Sequence, residues 1–265
     1  MLRRIPATIE TIPKGLPMQN ASSLRVNVRD DVDVRASKYI TGVYVQMMLG
    51  VMVTALTAYA LVTTGIMMDI AVAGGSMVIW GIFILQMGTV MMFRPMAQTA
   101  SPAKLQGLFY FYTLVTGVTV GYVGLIYTAA SIMNVFAAAA LAFGGLAAFG
   151  HVTKRSLGVV GTFCLQALWM TIGLSLLYAV SGLIPFLRPF AQTLNLTTGL
   201  LGVLVFSGLT AYESQRLKEN AYTLAQGSID ERGLSAYTTS GALMMYLNFV
   251  NLFFSLLRLF GDRRR

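Results

Sequence analysis

Glu213 is the residue with the clearest potential for chemistry in a chain of otherwise apolar segments. It lies in the sequence SGLTAYESQRLKE, near Ser207, Thr210 and Ser214. An ionisable side chain within a membrane-spanning helix indicates function by default, because charge in lipid is costly. The alternative is a carboxylate at the membrane surface, held in an ion pair at a helix end. The sequence leaves both interpretations open.

A second polar group lies in the last apolar segment, Gly241–Phe260. Asn248, Asn251, Ser255 and Arg258 follow one another at steps of three, four and three residues, which places them on one helical stripe. Hydrogen-bonding groups that face lipid are costly. We therefore expect this stripe to face protein or water, and this helix to lie at the centre of the others.

The depths of these groups suggest that they share one layer. Glu213 is about 6 Å from the end of its span at Leu217, and Asn248 is about 10 Å from Gly241 on the same side. Arg94 ends the second span and carries a stem long enough to reach inward. The sequence thus predicts a polar layer in which Glu213 pairs with Arg94.

Composition identifies the elements that must position these residues. The chain of 265 residues is 56% hydrophobic and 11% charged, against about 25% charged in soluble domains. Its apolar runs are long and lack strand-like alternation, so they predict helices that cross a bilayer. The fold class expected is an all-α membrane bundle of seven transmembrane helices, with the last one central. The seven spans are Tyr39–Thr63, Ile70–Phe93, Leu105–Tyr127, Ser131–Gly150, Leu157–Val180, Asn195–Leu217 and Gly241–Phe260.

Three regions follow from this pattern. Residues 1–38 are polar and contain three prolines, so we expect a disordered tail. Residues 39–260 form the transmembrane domain, in which a charged loop, Lys218–Thr239, precedes the last span. Residues 261–265 form a short basic tail.

Positive charge lies in alternate connections. The amino-terminal tail, the second-to-third turn, the fourth-to-fifth turn and the sixth-to-seventh loop carry it, whereas the opposite set has only Arg188. The positive-inside rule then places the amino terminus in the cytoplasm. Seven spans put Arg263, Arg264 and Arg265 outside, against that rule. Either these arginines are tolerated there or one span is re-entrant; we favour seven spans.

Small residues predict close helix contacts on two spans. Gly117, Gly121 and Gly124 share a face of the third span. The fourth span has Ala137–Ala140 and Gly144. Such faces let helices approach closely in lipid.

Several classes of function are disfavoured. A single cysteine, Cys164, excludes an internal disulfide and gives no metal-site spacing. The net charge of +9 lies at the ends of apolar runs, which indicates topology and contact with the lipid bilayer rather than nucleic-acid binding. No phosphate-binding loop or catalytic triad can be assembled. We therefore expect neither an enzyme nor a bound cofactor or metal.

Three motifs carry a resemblance to a known family. They are GLTAYESQRLKE at Gly208–Glu219, GALMMYLNFVNLFFSLLRLFG at Gly241–Gly261 and TKRSL at Thr153–Leu157. With them the chain resembles the Bax inhibitor (transmembrane Bax-inhibitor-motif) family, in its bacterial branch. The resemblance covers about residues 38–261. It implies seven transmembrane helices, of which the last is surrounded by the other six, in a bacterial inner membrane.

The resemblance also implies a pH-sensitive calcium leak, with two aspartates as sensor and an arginine of the second helix as latch. Here the sensor positions hold Glu213 and Asn248, and the latch would be Arg94. Asn248 does not titrate, so no carboxyl pair can form. We expect a calcium leak with weakened pH gating, in which Thr210 and Asn251 join the ion pathway.

The second hypothesis is a membrane regulator that transports nothing. The resemblance implies it, because some bacterial relatives modulate a membrane-bound protease. The polar layer would then hold helices together, and residues 1–38 would be available to bind the protease or another membrane protein.

Overall fold

A computed structural model of the chain describes residues 18–227 and 230–264. Seven α-helices make up the fold, and no β-strand occurs among the described residues. Their bounds are α1 Met18–Thr63, α2 Ile66–Thr99, α3 Pro102–Ile126, α4 Ala129–Val152, α5 Gly158–Val180, α6 Ala191–Gln226 and α7 Glu231–Phe260. A short 3-10 helix, Pro185–Phe190, leads into α6.

Six of the helices are each long and apolar enough to cross a membrane, and the seventh, α2, qualifies as a bent pair. Its two parts, Ile66–Gly75 and Trp80–Thr99, meet at 103°. Gly75 has φ 51° and ψ −137°, outside the helical region. Positive φ is readily adopted only by glycine, so the glycine at position 75 allows the bend.

The packing of α1 on α3 shows that α2 crosses the bundle. The residue numbers of facing residues increase in the same direction along the two helices, so α1 and α3 run parallel. The facing pairs are Gly50–Phe109, Thr57–Gly117 and Val62–Gly124. A chain that leaves α1 at one end must return to the other end before it starts α3. The α2 segment makes that return, and the bundle therefore has seven crossings rather than a re-entrant second segment.

Contacts between connections define two ends of the bundle. At the amino end, where α1 starts, Arg232 of α7 donates to the carbonyl of Thr99, the last residue of α2, at 3.1 Å, and Lys218 of α6 donates to the carbonyl of His151, at 2.9 Å. At the carboxyl end, Arg264 donates its backbone N–H to the carbonyl of Ile126 at 2.8 Å. The basic connections thus gather at the amino end, and Arg263 and Arg264 lie at the other end.

The last helix, α7, lies at the centre, as predicted. It packs against α1, α2, α3, α4 and α6. Tyr246, at its midpoint, is fully buried. Its hydroxyl lies 2.6 Å from Oγ1 of Thr54 on α1, and its ring meets those of Phe109 and Tyr112 on α3 edge to face, at 5.9 and 6.0 Å. The hydroxyl is therefore satisfied inside the core, which makes the buried tyrosine tolerable.

Three predicted boundaries are wrong because the helices continue past the apolar runs. The α1 helix includes residues 18–38, for which the sequence predicted disorder; Met1–Pro17 lies outside the described residues. The predicted loop Lys218–Thr239 is mostly helix, since α6 ends at Gln226 and α7 starts at Glu231. Once a span has formed, adding a helical turn in water needs no new nucleation.

The two predicted small-residue faces have different outcomes. On α3, a Cβ at Gly117 would lie 2.5 Å from Cβ of Thr57, so this glycine allows the close approach of α1. On α4, Ala139 of the predicted face is fully buried in the core, whereas Gly144 is exposed and has open space around it. The close contact of α4 is made by Gly150 instead, which meets the backbone of Ala211 on α6.

Candidate functional site

The antiparallel register of α6 and α7 fixes the depth of the candidate site. Each facing pair has residue numbers that add to 457 or 458, and the pairs are Gly199–Leu259, Gly202–Ser255 and Leu217–Gly241. By this register Asn248 lies level with Thr210. Glu213 lies about one turn, ~5 Å, closer to the amino end. The predicted layer is therefore two successive turns rather than one.

Glu213 is held in a local ion pair. Its side chain is 16% exposed, and its Oε1 lies 3.6 Å from Nη1 of Arg216, three residues later on the same helix. Arg216 is more exposed, at 54%. This ion pair lies within α6, well before the helix ends at Gln226, and so differs from the helix-end pair that the sequence left open as the alternative. It neutralises a carboxylate that would otherwise be costly at this depth.

Arg94 does not take part in this pair. Its side chain is exposed on α2, and the ion pair found among the described residues joins Glu213 to Arg216. The expected Glu213–Arg94 contact is therefore absent from the structure. The physical reason is proximity along the chain, because residues three apart on a helix face each other without any inter-helix fit.

Asn248 brings an unsatisfied polar group into the core. Its side chain is 6% exposed, and its Nδ2 is buried without a hydrogen-bond partner. Thr210, at the same level, is fully buried and donates to the carbonyl of Phe206 at 2.6 Å. On α1, Nε2 of Gln46 is likewise buried without a partner. Unpaired buried donors are rare, since each costs about 1–3 kcal/mol.

The rest of the polar stripe on α7 faces protein, as predicted. Asn251 donates through Nδ2 to the carbonyl of Leu247 at 2.8 Å, and Ser255 donates to the carbonyl of Asn251 at 2.7 Å. Ser255 is 6% exposed. These two side chains satisfy themselves on their own helix, whereas Asn248 does not.

Two polar residues that follow Glu213, Gln215 and Ser214, fasten α6 at the amino end. Gln215 accepts from the N–H of Leu157 at 2.8 Å and donates to the carbonyl of Arg155 at 2.9 Å, which ties α6 to the turn before α5. Ser214 donates to the carbonyl of Ala147 on α4 at 2.7 Å. Ser214 and Gln215 thus have structural roles. In the sequence, the signal for these contacts was only that both side chains are polar.

The site has one titratable carboxylate and no cluster typical of a metal ion. Among the residues that the structure describes, no three histidine, cysteine, aspartate or glutamate side chains are grouped to bind metal. Glu213 can attract a cation or carry a proton. Asn248 and Thr210 can offer neutral oxygens beside it. The arrangement suits weak cation contact better than tight cation binding.

Comparison with known proteins places this chain among bacterial membrane proteins. It is 34% identical over 226 residues to the inner membrane protein YbhL of Escherichia coli K12, a match that covers 85% of this chain and 92% of YbhL. It is 34% identical over 244 residues to an uncharacterized protein of Caulobacter vibrioides, covering 88% and 92%. An uncharacterized membrane protein of Streptococcus pyogenes is 26% identical over 230 residues, covering 86% and 94%.

The family model described as "Inhibitor of apoptosis-promoting Bax1" matches residues 36–265. That range contains all seven crossings, the polar residues of α6 and α7 and the terminal arginines. The match extends over most of the chain, and the similarity to YbhL covers 85% of it. The chain therefore belongs to the Bax inhibitor family of membrane proteins.

Proposed function

We propose that this protein is a channel-like membrane protein that lets calcium leak across the bacterial inner membrane, with weakened pH gating. The observation that carries the proposal is Glu213, a carboxylate inside a membrane-spanning helix that is only 16% exposed. Family membership and the inner-membrane relative support the location. The proposal assigns no catalytic residue and no bound cofactor; calcium is the permeant ion.

Glu213 would attract the cation, and the neutral oxygens of Asn248 and Thr210 would meet it one turn deeper. Calcium prefers oxygen ligands from carboxylates, amides and water. In Asn248 the atom that could meet a cation is the amide oxygen, Oδ1, since the unpaired Nδ2 is a hydrogen-bond donor. Asn251 lies a further turn along the path. This order gives a cation one charged contact followed by neutral ones, which favours passage over retention.

On this proposal, the conformation described here is the closed one. Thr210 and Tyr246 are fully buried, and Asn248 is 6% exposed. Opening would require α6 and α7 to separate. We assign the latch to Arg216 rather than Arg94, because Arg216 is the cation that contacts Glu213. Protonation of Glu213 would remove its charge and so weaken this pair.

Weak pH gating follows from the lone carboxylate. Two neighbouring carboxyl groups titrate in coupled steps, which raises the pKa of one of them and brings its proton release toward working pH. An amide at position 248 removes that coupling because it does not titrate. A single carboxylate binds one proton, and its titration is not coupled to that of a second group.

Calcium flux into liposomes containing the purified protein, measured across pH, tests the proposal. We expect Glu213→Gln to reduce flux severalfold and Asn248→Asp to steepen its pH dependence. Glu219→Gln is the matched control, since Glu219 is exposed on the same helix. A flux that responds equally to both glutamine variants would remove Glu213 from the pathway. Absence of calcium flux at every pH would end the channel proposal.

We place the amino end of the bundle in the cytoplasm. The basic connections gather there, which the positive-inside rule associates with the cytoplasmic face. One observation also favours the second function, regulation of a membrane-bound protease. The start of α1 is a charged helix in which Asp30, Asp31 and Asp33 are exposed.

Crosslinking tests that second function. If α1 docks a protease or another membrane protein through these carboxylates, replacing all three by asparagine should abolish the crosslink and leave calcium flux unchanged. Retention of the crosslink would exclude this face as the docking element.

A further inference from the structure

The carboxyl end of the bundle contains an open cleft of about 470 Å³, far from Glu213. Two arginines line it, Arg258 from the last turn of α7 and Arg263 from the tail that follows. Tyr178 of α5 and two amides from the start of α6, Gln192 and Asn195, complete its polar wall. Three segments, the end of α5, the start of α6 and the end of α7 with its tail, thus converge on one positively charged depression.

Arg258 is the least satisfied cation in this cleft. Its Nη1 is buried without a hydrogen-bond partner. Its guanidinium lies 6.0 Å from the centre of the Tyr178 ring, which supports it by a cation–π contact. A guanidinium carries five donors and stays charged, so a buried unpaired N–H on it is costly. An acceptor in the cleft would remove that cost.

No carboxylate of the described residues provides this acceptor. The ion pair found among them is the one between Glu213 and Arg216, at the other end of the bundle. Asp262 is the nearest acidic residue along the chain, and its side chain is exposed. Its backbone is tied to the α3–α4 turn, where Ser131 accepts from its N–H at 2.9 Å.

The remaining wall of the cleft also favours an anion. Gln192 and Asn195 lie in the first turns of α6, and Asn195 is 8% exposed. Their amides can donate hydrogen bonds, and the amino-terminal end of a helix adds positive potential. Two guanidinium groups suit a tetrahedral oxyanion, because each can donate two parallel hydrogen bonds.

We propose that this cleft binds a phosphate-class oxyanion, held by Arg258 and Arg263 and contacted by Gln192 and Asn195. Such an oxyanion has two sources: free inorganic phosphate, and the phosphodiester group of a lipid headgroup. The cleft opens at the end of a membrane-spanning bundle, where headgroups are within reach. Its volume also exceeds that of a single phosphate. The site is independent of the calcium pathway proposed above.

Binding to the full-length protein in a neutral detergent tests the proposal. Calorimetric titration with inorganic phosphate forms one arm, against chloride at matched ionic strength. The second arm compares thermal unfolding in nanodiscs of phosphatidylglycerol and phosphatidylcholine, and uses native mass spectrometry to count retained lipids. Saturable binding of phosphate alone identifies the free ion, and retention of phosphatidylglycerol alone identifies the headgroup. Either outcome supports the site, and no binding in both arms overturns it.

Variants then locate the binding. Arg263→Gln and Gln192→Glu change exposed side chains and should weaken binding at least tenfold while the protein stays folded. Arg188→Gln is the matched control, because Arg188 is an exposed arginine in the connection just before α6 and does not line the cleft. Arg258→Gln should abolish binding, and the two exposed variants keep the test valid if that protein does not fold. Unchanged affinity in Arg263→Gln and Gln192→Glu would overturn the assignment.

Discussion

One missing methyl group sets how closely α4 approaches α6. A Cβ on Gly150 would overlap the carbonyl of Ala211. The obstacle is backbone, which cannot rotate away as a side chain can. In lipid, where dispersion must hold helices together, such an approach contributes directly to stability. The neighbouring hydrogen bond from Ser214 to Ala147 depends on the same approach.

Gly150→Ala should therefore destabilise the protein. The forced separation of two packed helices costs about 1–3 kcal/mol, which should appear as a lower midpoint of thermal unfolding in detergent. Gly145→Ala on the same helix is the control, because nothing lies within 4 Å of its added Cβ. That variant should be neutral or slightly stabilised, since alanine favours helix. Equal midpoints for the two variants would contradict the packing described here.

Individual residues also show what sequence reasoning reached at the site. It identified Glu213 and Asn248 as the polar residues of α6 and α7, and Asn248 is indeed buried with an unpaired Nδ2. It assigned the wrong cation to Glu213. The signal for Arg216 was present in the three-residue spacing on one helix. The convergence of Arg258, Arg263 and the start of α6 depends on tertiary packing, which spacing within one helix does not encode.

At the scale of elements, α2 differs from the other spans because it is broken. Apolar length predicted a straight span at Ile70–Phe93, and the structure has two pieces joined near Gly75. The paired glycines 74 and 75 were the only sequence signal for the break. The errors at the helix ends have a related cause. Charged residues indicate where a segment leaves the lipid, but they do not end a helix, which can continue into water.

Gly75→Ala should strain the bend. A φ of 51° with a ψ of −137° lies in a region that residues other than glycine rarely adopt, and it costs such a residue about 1–3 kcal/mol. We expect a lower unfolding midpoint, or a straighter α2 detected by distance measurements between spin labels on its two parts. Gly81→Ala provides the comparison, because Gly81 lies in the same helix with ordinary φ and open space. A Gly75→Ala protein as stable as Gly81→Ala, with its bend intact, would show that glycine is not required.

At the scale of the whole molecule, the parallel packing of α1 and α3 decides the number of crossings. The sequence left open whether one span was re-entrant, because the terminal arginines oppose the positive-inside rule. Seven crossings put the start of α1 and the end of α7 on opposite faces of the membrane. Arg263 and Arg264 are held at the carboxyl end by contacts with Tyr127: the guanidinium of Arg263 lies 5.9 Å from the centre of its ring, and Arg264 donates through Nε to its carbonyl at 3.1 Å.

Cysteine labelling in spheroplasts measures this topology directly. In a Cys164→Ala background, Asp262→Cys should react with a membrane-impermeant maleimide in intact spheroplasts. Ser37→Cys should react only after permeabilisation. Both positions are exposed, so access depends on the membrane side. Labelling of both from the same side would mean that α2 does not cross.

The central position of α7 has a consequence for biosynthesis. Six helices leave the ribosome before α7 does, and five of them, α1, α2, α3, α4 and α6, pack against it. Until α7 inserts, Thr54 lacks the hydroxyl of Tyr246 as a partner. The core of the bundle can therefore be completed only after the whole chain has been synthesised.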